Sequence, residues 1–168
     1  MSTLTSAEQF IEAFKEAMSA FPSGVTVITT LDEQGEPVGM TASAFVSVSL
    51  DPPLVLESVA KTAQMHDHLM KTERYAVSIL AADQALVSNH FAGWGQEGYQ
   101  PTLATLGGLP IIQGSLAQLT CRIVNRVEAG DHTLFIGGVE EVSSGAVSAD
   151  PLIYAKRDYR ELAPIKQA

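Results

Sequence analysis

Cysteine is almost missing from the sequence: Cys121 stands alone among 168 residues. That excludes an internal disulfide and any zinc site built on several thiolates, and it fits a reducing, cytoplasmic setting. Positive charge is scarce as well. Ten Lys and Arg against nineteen Asp and Glu leave a net charge of −9. Nucleic-acid affinity rests on neutralising phosphates with cationic side chains, so no nucleic-acid partner is expected. The uncharged stretch between Gly98 and Arg122 is broken by Pro101, Gly107, Gly108, Pro110 and Gly114. It cannot form the apolar helix of about 20 residues that spans a bilayer, so no membrane association is expected. Met1 to Gln9 holds neither a basic nor an apolar stretch, which predicts no secretion signal. What is present is apolar: 46% of residues are hydrophobic, enough for one domain, 1–168, with a substantial core.

Periodicity predicts a mostly β fold. Residues 5–20 read as an amphipathic helix with Phe10, Phe14, Ala17 and Met18 on one face and Thr5 or Ser6 as its cap. From Val25 the period becomes two, and Asp32 to Glu36 reads as a hairpin turn. Val38 to Leu50 reads as one long run, closed by Asp51-Pro52-Pro53, and Leu54 to Val59 as the next strand. Thr62 to Glu73 is helix-like with Met65, Leu69 and Met70 facing inward, and Tyr75 to Leu80 is a strand. Asp83 is the expected cap of a short helix over 84–91, followed by loop from Ala92 to Pro110. Strands follow at Leu116 to Val127, Thr133 to Val142 and Leu152 to Ala155. About seven strands that mostly succeed one another predict antiparallel pairing in a β-barrel or closely packed sheets, with short helices. In this scheme Cys121 is a small core residue.

Two motifs mislead. Gly93-Trp94-Gly95-Gln96-Glu97-Gly98 matches G-x-G-x-x-G, but that motif needs a strand before it and a helix after it, and here a helix precedes and Pro101 follows. His66 and His68 are two apart on a helix, about 200° around it, so they cannot share a metal. No metal site is expected, and scattered carboxylates do not suggest hydrolysis by an acid pair.

Two segments are unusual for structure alone. Gly39-Met40-Thr41-Ala42-Ser43-Ala44-Phe45-Val46-Ser47-Val48-Ser49-Leu50-Asp51-Pro52-Pro53 packs small and hydroxyl-bearing residues where a barrel strand normally alternates large and polar ones. Such a strand leaves room for a flat ligand against the backbone, although a tight strand crossing would use the same residues. Gly130-Asp131-His132 leads into an apolar strand and sets a titratable ring at its mouth, or is simply a hairpin turn with a capping Asp. Five segments occur in order: Phe21 to Thr30, Gly39 to Phe45, Ser47 to Leu56, Tyr75 to Leu80, and Gly130 to Gly137. In that order and spacing, from about Phe10 to Tyr159, the sequence resembles the short-chain flavin reductases, the reductase components of two-component flavin monooxygenases.

The resemblance implies a flavin-binding split β-barrel, antiparallel and homodimeric, that moves a hydride from NADH, or alternatively NADPH, to FMN or FAD. It implies a separate flavin-dependent monooxygenase, or another acceptor, as the recipient of the reduced flavin. Thr41, Ala42, Ser43, Ala44 and Phe45, with Ser47 and Val48, would line the flavin ring and ribityl chain. Ser58, Val59, Ala60, Lys61 and Thr62 would meet the flavin phosphate, and Phe91 would lie near the cofactor. His132 would contact the nicotinamide nucleotide as the catalytic-site candidate, with Lys156, Arg157 and Tyr159 as further contacts. One departure stands out: the Ser-x-Thr pair that many members use for phosphate falls here on Ala63 and Met65. Thr62, Lys61 and the helix start would have to substitute. A pyridoxamine-phosphate-oxidase-like enzyme and a non-catalytic flavin-binding protein remain the alternatives.

Overall fold

The structure is a computed structural model that describes residues 5–145 and 149–164. Helix α1 (Ser6–Ser19) begins with a capping box: Glu8 N–H donates to Thr5 Oγ1, and Glu8 Oε2 accepts from Thr5 N–H at 2.7 Å. A short strand β1 (Ser23–Gly24) leads into β2 (Thr26–Leu31), β3 (Pro37–Ala42), β4 (Phe45–Leu50) and β5 (Pro53–Ala60). Helix α2 (Gln64–Lys71) and strand β6 (Arg74–Ile79) follow. A 3₁₀ turn (Ala82–Gln84) and α3 (Ala85–Phe91) come next, then a small hairpin of β7 (Leu103–Leu106) and β8 (Leu109–Ile112). Two long strands, β9 (Ala117–Ala129) and β10 (His132–Ser144), and a last hairpin, β11 (Ile153–Ala155) and β12 (Asp158–Arg160), complete the fold.

Seven strands form one antiparallel sheet in the order β3-β2-β6-β9-β10-β5-β4. Its edges, β3 and β4, are joined by Ser43 and Ala44 alone. Ala42 and Phe45 are three Cα steps apart, which span at most about 11 Å. A flat seven-strand sheet would separate its edges by about 28 Å, so this sheet curls until its edges nearly meet. It is a barrel split along one seam.

The curl makes two cores. Ile28, Val55, Val59, Met65, Leu69, Tyr75, Val77, Cys121 and Phe135 fill the inside. Val25, Val27, Leu80, Val87, Ile112 and Leu152 pack outside the barrel wall under α3 and the last hairpin. This explains why β2 is buried from Thr26 to Thr30 on both faces rather than alternating. Burial pushes the Cys121 thiol up to about 12, so it stays protonated and inert, as the core assignment requires. Glu57 is also fully buried inside, with neither carboxylate oxygen partnered, and burial alone holds its carboxyl well above the usual range.

Several expectations change. The run from Val38 to Leu50 is two strands, because the chain must cross the seam at Ser43-Ala44. Met70 is 49% exposed, while Met65 and Leu69 carry the inner face of α2. Asp83 makes no capping bond; Gln84 Oε1 instead accepts from Ala81 N–H at 3.0 Å. The segment from Ala92 to Pro110 contains most of the β7–β8 hairpin, whose Leu109 and Ile111 cover Ala76 on the outer wall. Strand β12 follows the last strand expected from sequence. The apolar face of α1 is not buried at all: Phe10 is 70% and Phe14 56% exposed, with Ile11 and Met18 beside them. Among the described residues, no helix is long and apolar enough to cross a membrane.

Candidate functional site

The split is where backbone chemistry is available. Among the described residues, strand β3 pairs only with β2, and β4 only with β5, so each presents one edge of free N–H and C=O groups. Ala44 ties the crossing to the next strand, its carbonyl accepting from Ser58 N–H at 3.1 Å. Side chains here are small or turned away. Ala42 is buried, Ser43 and Ala44 are exposed, and Phe45 leans on the inner core. On β4, Ser47 and Val48 are exposed, and the register shifts between Ser47 and Ser49, so Val48 is the extra residue of a bulge. A flat heteroaromatic ring with alternating donors and acceptors along one edge fits such a strip.

The seam opens into a cleft between the end of β3, the exit of α3 and the β11–β12 hairpin. Thr41, Ala42 and Ser43 form one side, Trp94 another, and Tyr154 and Tyr159 a third. The helix is pinned on both sides. Thr41 Oγ1 donates to the Ser88 carbonyl at 2.6 Å. The Tyr159 hydroxyl lies 2.8 Å from both Ser88 Oγ and Asn89 Oδ1, and its ring meets Tyr154 edge-on at 5.7 Å. Gly39 makes this approach possible, since a Cβ there would sit 2.8 Å from Phe91 Cε1.

The end of β5 forms a polar corner. His132 pairs with Ala60 across β5 and β10, and Lys61 N–H donates to the Asp131 carbonyl at 2.9 Å. The turn after β5 and the Gly130-Asp131-His132 corner are therefore one surface. Asp131 Oδ1 lies 2.7 Å from His132 Nδ1, and this hydrogen bond holds the Asp131 carboxyl below its usual range. Lys61 Nζ stands 3.7 Å from Glu128. Helix α2 starts at Ala63 with no side-chain cap, and Met65 is buried, so no hydroxyl stands where the phosphate-binding pair would fall.

Not every expected residue comes together. Thr41 to Phe45, Ser47, Val48, Ser58, Ala60, Lys61, Thr62 and His132 lie along the seam or its polar corner, and Tyr159 lies in the cleft. Val59 points into the inner core, fully buried, and offers only its backbone. Phe91 packs on Gly39 beneath α3, while Ser88, Ala92 and Trp94 of the same segment line the cleft. Lys156 and Arg157 form the tip of the last hairpin with positive φ (53° and 62°) and turn toward α1. Lys156 N–H donates to the Ser19 carbonyl at 2.6 Å, and Arg157 lies 3.9 Å from Glu16. His66 lies 2.9 Å from Thr133 Oγ1 and edge-on to Phe135. The sequence reading missed Ser88, Trp94 and Tyr154. Trp94 carries a signal, the lone tryptophan in a glycine-rich loop whose G-x-G-x-x-G spacing masks it.

Comparison with known proteins places the chain in a family. Residues 18–163 match the family profile described as a flavin reductase like domain. The chain is 42% identical over 150 residues to an NADH-dependent flavin reductase of Rhodococcus, covering 88% of this chain and 84% of the relative. It is 44% identical over 152 residues to the reductase component of 4-hydroxyphenylacetate 3-monooxygenase of Thermus thermophilus, covering 90% and 96%. Among solved structures it is similar to flavin reductase PheA2, with a TM-score of 0.86, 45% identity and coverage of 91% and 98%.

Proposed function

The chain belongs to the flavin reductase-like family, and we infer that it is an NADH:flavin oxidoreductase that passes reduced flavin to a separate monooxygenase. The observation that carries this reading is the placement of His132 one strand from the flavin-lining seam, through its pairing with Ala60. When bound, flavin and NADH supply the redox chemistry between them: a hydride passes from the nicotinamide to the flavin, with one proton taken from solution.

The protein's own groups bind, orient and exclude water. The free edges of β3 and β4 offer hydrogen bonds to a ring edge. The small side chains Ala42, Ser43 and Ala44 permit close approach. His132 orients the nicotinamide nucleotide. With Nδ1–H donated to Asp131, its Nε2 is left to face the ligand, so Asp131 acts as a positioning residue. No acid–base pair is needed, and none is assigned.

Finer features are part of the proposal. The uncovered apolar face of α1 and the exposed Val46, Val48 and Leu50 on the edge strand β4 support a homodimer that covers them. The lone protonated thiol suits a reducing cytoplasm. NADH is preferred to NADPH because, among the described residues, no cluster of arginines lines the cleft to receive a 2′-phosphate. FMN and FAD both serve, as exchanging substrates, since the phosphate turn lacks its hydroxyl pair. The test is loss of NADH absorbance at 340 nm. Loss that needs both protein and added FMN or FAD supports the reading, and no loss with either flavin, using NADH or NADPH, overturns it.

A further inference from the structure

The three walls of the cleft come from parts of the chain that share no strand ladder. Thr41 belongs to β3 in the seven-stranded sheet, and Trp94 follows α3. Tyr154 and Tyr159 belong to the separate sheet β1-β11-β12. Strand β12 runs only from Asp158 to Arg160 and, among the described residues, pairs only with β11. Sheet hydrogen bonds therefore do not set the spacing between the walls. Side chains do.

Ser88 is where they meet. It is 1% exposed, and its carbonyl accepts twice: from Ala92 N–H at 3.0 Å, closing the last turn of α3, and from Thr41 Oγ1 at 2.6 Å. Its own hydroxyl lies 2.8 Å from that of Tyr159. Asn89 continues the chain. Its Oδ1 lies 2.8 Å from the Tyr159 hydroxyl, and its carbonyl accepts from Trp94 N–H at 2.9 Å. A phenol carries one proton, and an amide oxygen only accepts. Tyr159 O–H therefore donates to Asn89, and Ser88 O–H donates to the Tyr159 oxygen. The hydroxyl protons of Thr41, Ser88 and Tyr159 are thus all spent between the walls, and none is left for a ligand. Trp94 is 74% exposed, so its place at the cleft rests on its backbone, and its backbone rests on Asn89.

Resting on the flavin reductase reading, we propose that Ser88 is a positioning residue for flavin binding: through Thr41 and Tyr159 it fixes the spacing of the cleft walls and gives the flavin no hydrogen bond of its own. Walls held in place before the ligand arrives lose less freedom when it binds, and affinity gains accordingly.

Direct binding tests this without turnover. FMN is titrated with the full-length protein in the absence of NADH, following flavin fluorescence. Trp94 is the lone tryptophan, so the anisotropy of indole emission reports that wall alone. Ser88→Ala and Tyr159→Phe are each expected to raise the FMN dissociation constant about fivefold, the scale of one hydrogen bond, and to lower the Trp94 anisotropy before flavin is added. Tyr159→Phe already breaks the bond that Ser88→Ala removes, so the double variant stays within twofold of Tyr159→Phe. Melting temperature reports folding of each variant. Tyr159→Phe keeps its ring on a short edge strand, and it carries the test alone if Ser88→Ala does not fold. An FMN dissociation constant or a Trp94 anisotropy unchanged in Tyr159→Phe overturns the proposal. So does a double variant in which the two effects multiply to about twenty-fivefold. Failure of the wild type to bind FMN, with no flavin-dependent NADH loss, overturns the reductase reading itself.

Discussion

The Asp131 carboxylate lies 2.7 Å from His132 Nδ1, at the head of the strand that pairs His132 with Ala60. Removing the ring should therefore affect the nucleotide more than the flavin. His132→Ala is expected to raise the KM for NADH about tenfold, the scale of one lost hydrogen bond to a charged or polar group, while the flavin dissociation constant changes less than twofold. Steady-state kinetics alongside a flavin titration check this, and unchanged kinetics remove the assignment.

Asp131→Asn should act in the same direction through His132, with a smaller rise in KM and little change in kcat. The Asp131 carboxyl is held low by His132, so the pair is intact above the ordinary carboxylate range and is lost only as pH falls below it. The Asp131→Asn penalty is therefore expected throughout pH 5 to 8 rather than at one end. A pH profile of KM for NADH measures it.

Glu57 leads to a stability prediction of opposite sign. Its carboxyl is raised by burial, so the folded state keeps a proton that the unfolded chain releases above its ordinary value near 4.5. Stability from this group is full below that value and falls as pH rises toward the folded pKa, by up to about 1.4 kcal/mol per unit. Between pH 5 and 8 the melting temperature of wild type should fall more than that of Glu57→Gln. At pH 8, Glu57→Leu should be more stable than wild type by about 1–3 kcal/mol, the cost of an unpartnered buried polar group. Parallel pH profiles for wild type and Glu57→Gln would contradict this.

The helix α1 predicts an assembly. Phe10 and Phe14 are exposed on a capped helix that buries nothing of its own chain. Sedimentation should show a dimer for wild type, and Phe10→Ala with Phe14→Ala should shift it toward monomer by weakening a contact worth about 2 kcal/mol or more. A wild-type monomer at micromolar concentration contradicts the homodimer.

Much of this was legible in the residues. The strands of the main sheet, the polar corner and the small-residue run at Thr41 to Ser47 follow from period and composition, because a strand's alternation is local. The seam was not legible: Val38 to Leu50 reads as continuous, and only the strand order shows that Ser43-Ala44 crosses from one edge to the other. The same holds for β2, whose alternation is erased by a second core outside the barrel. The place of Trp94 at the cleft depends on α3 being pinned to β3 and β12, through contacts 47 and 71 residues apart that no local pattern shows. The left-handed turn at Lys156 and Arg157, which brings the Lys156 backbone to Ser19 and Arg157 to Glu16, is likewise not visible in the local sequence.

Whether this protein reduces flavin that comes and goes is read without oxygen, with FMN and NADH each in large excess over the protein, by following flavin absorbance near 450 nm. The flavin is expected to bleach completely, one FMN per NADH consumed and many per polypeptide. Bleaching that stops at one flavin per chain, or none beyond a protein-free control, would contradict it.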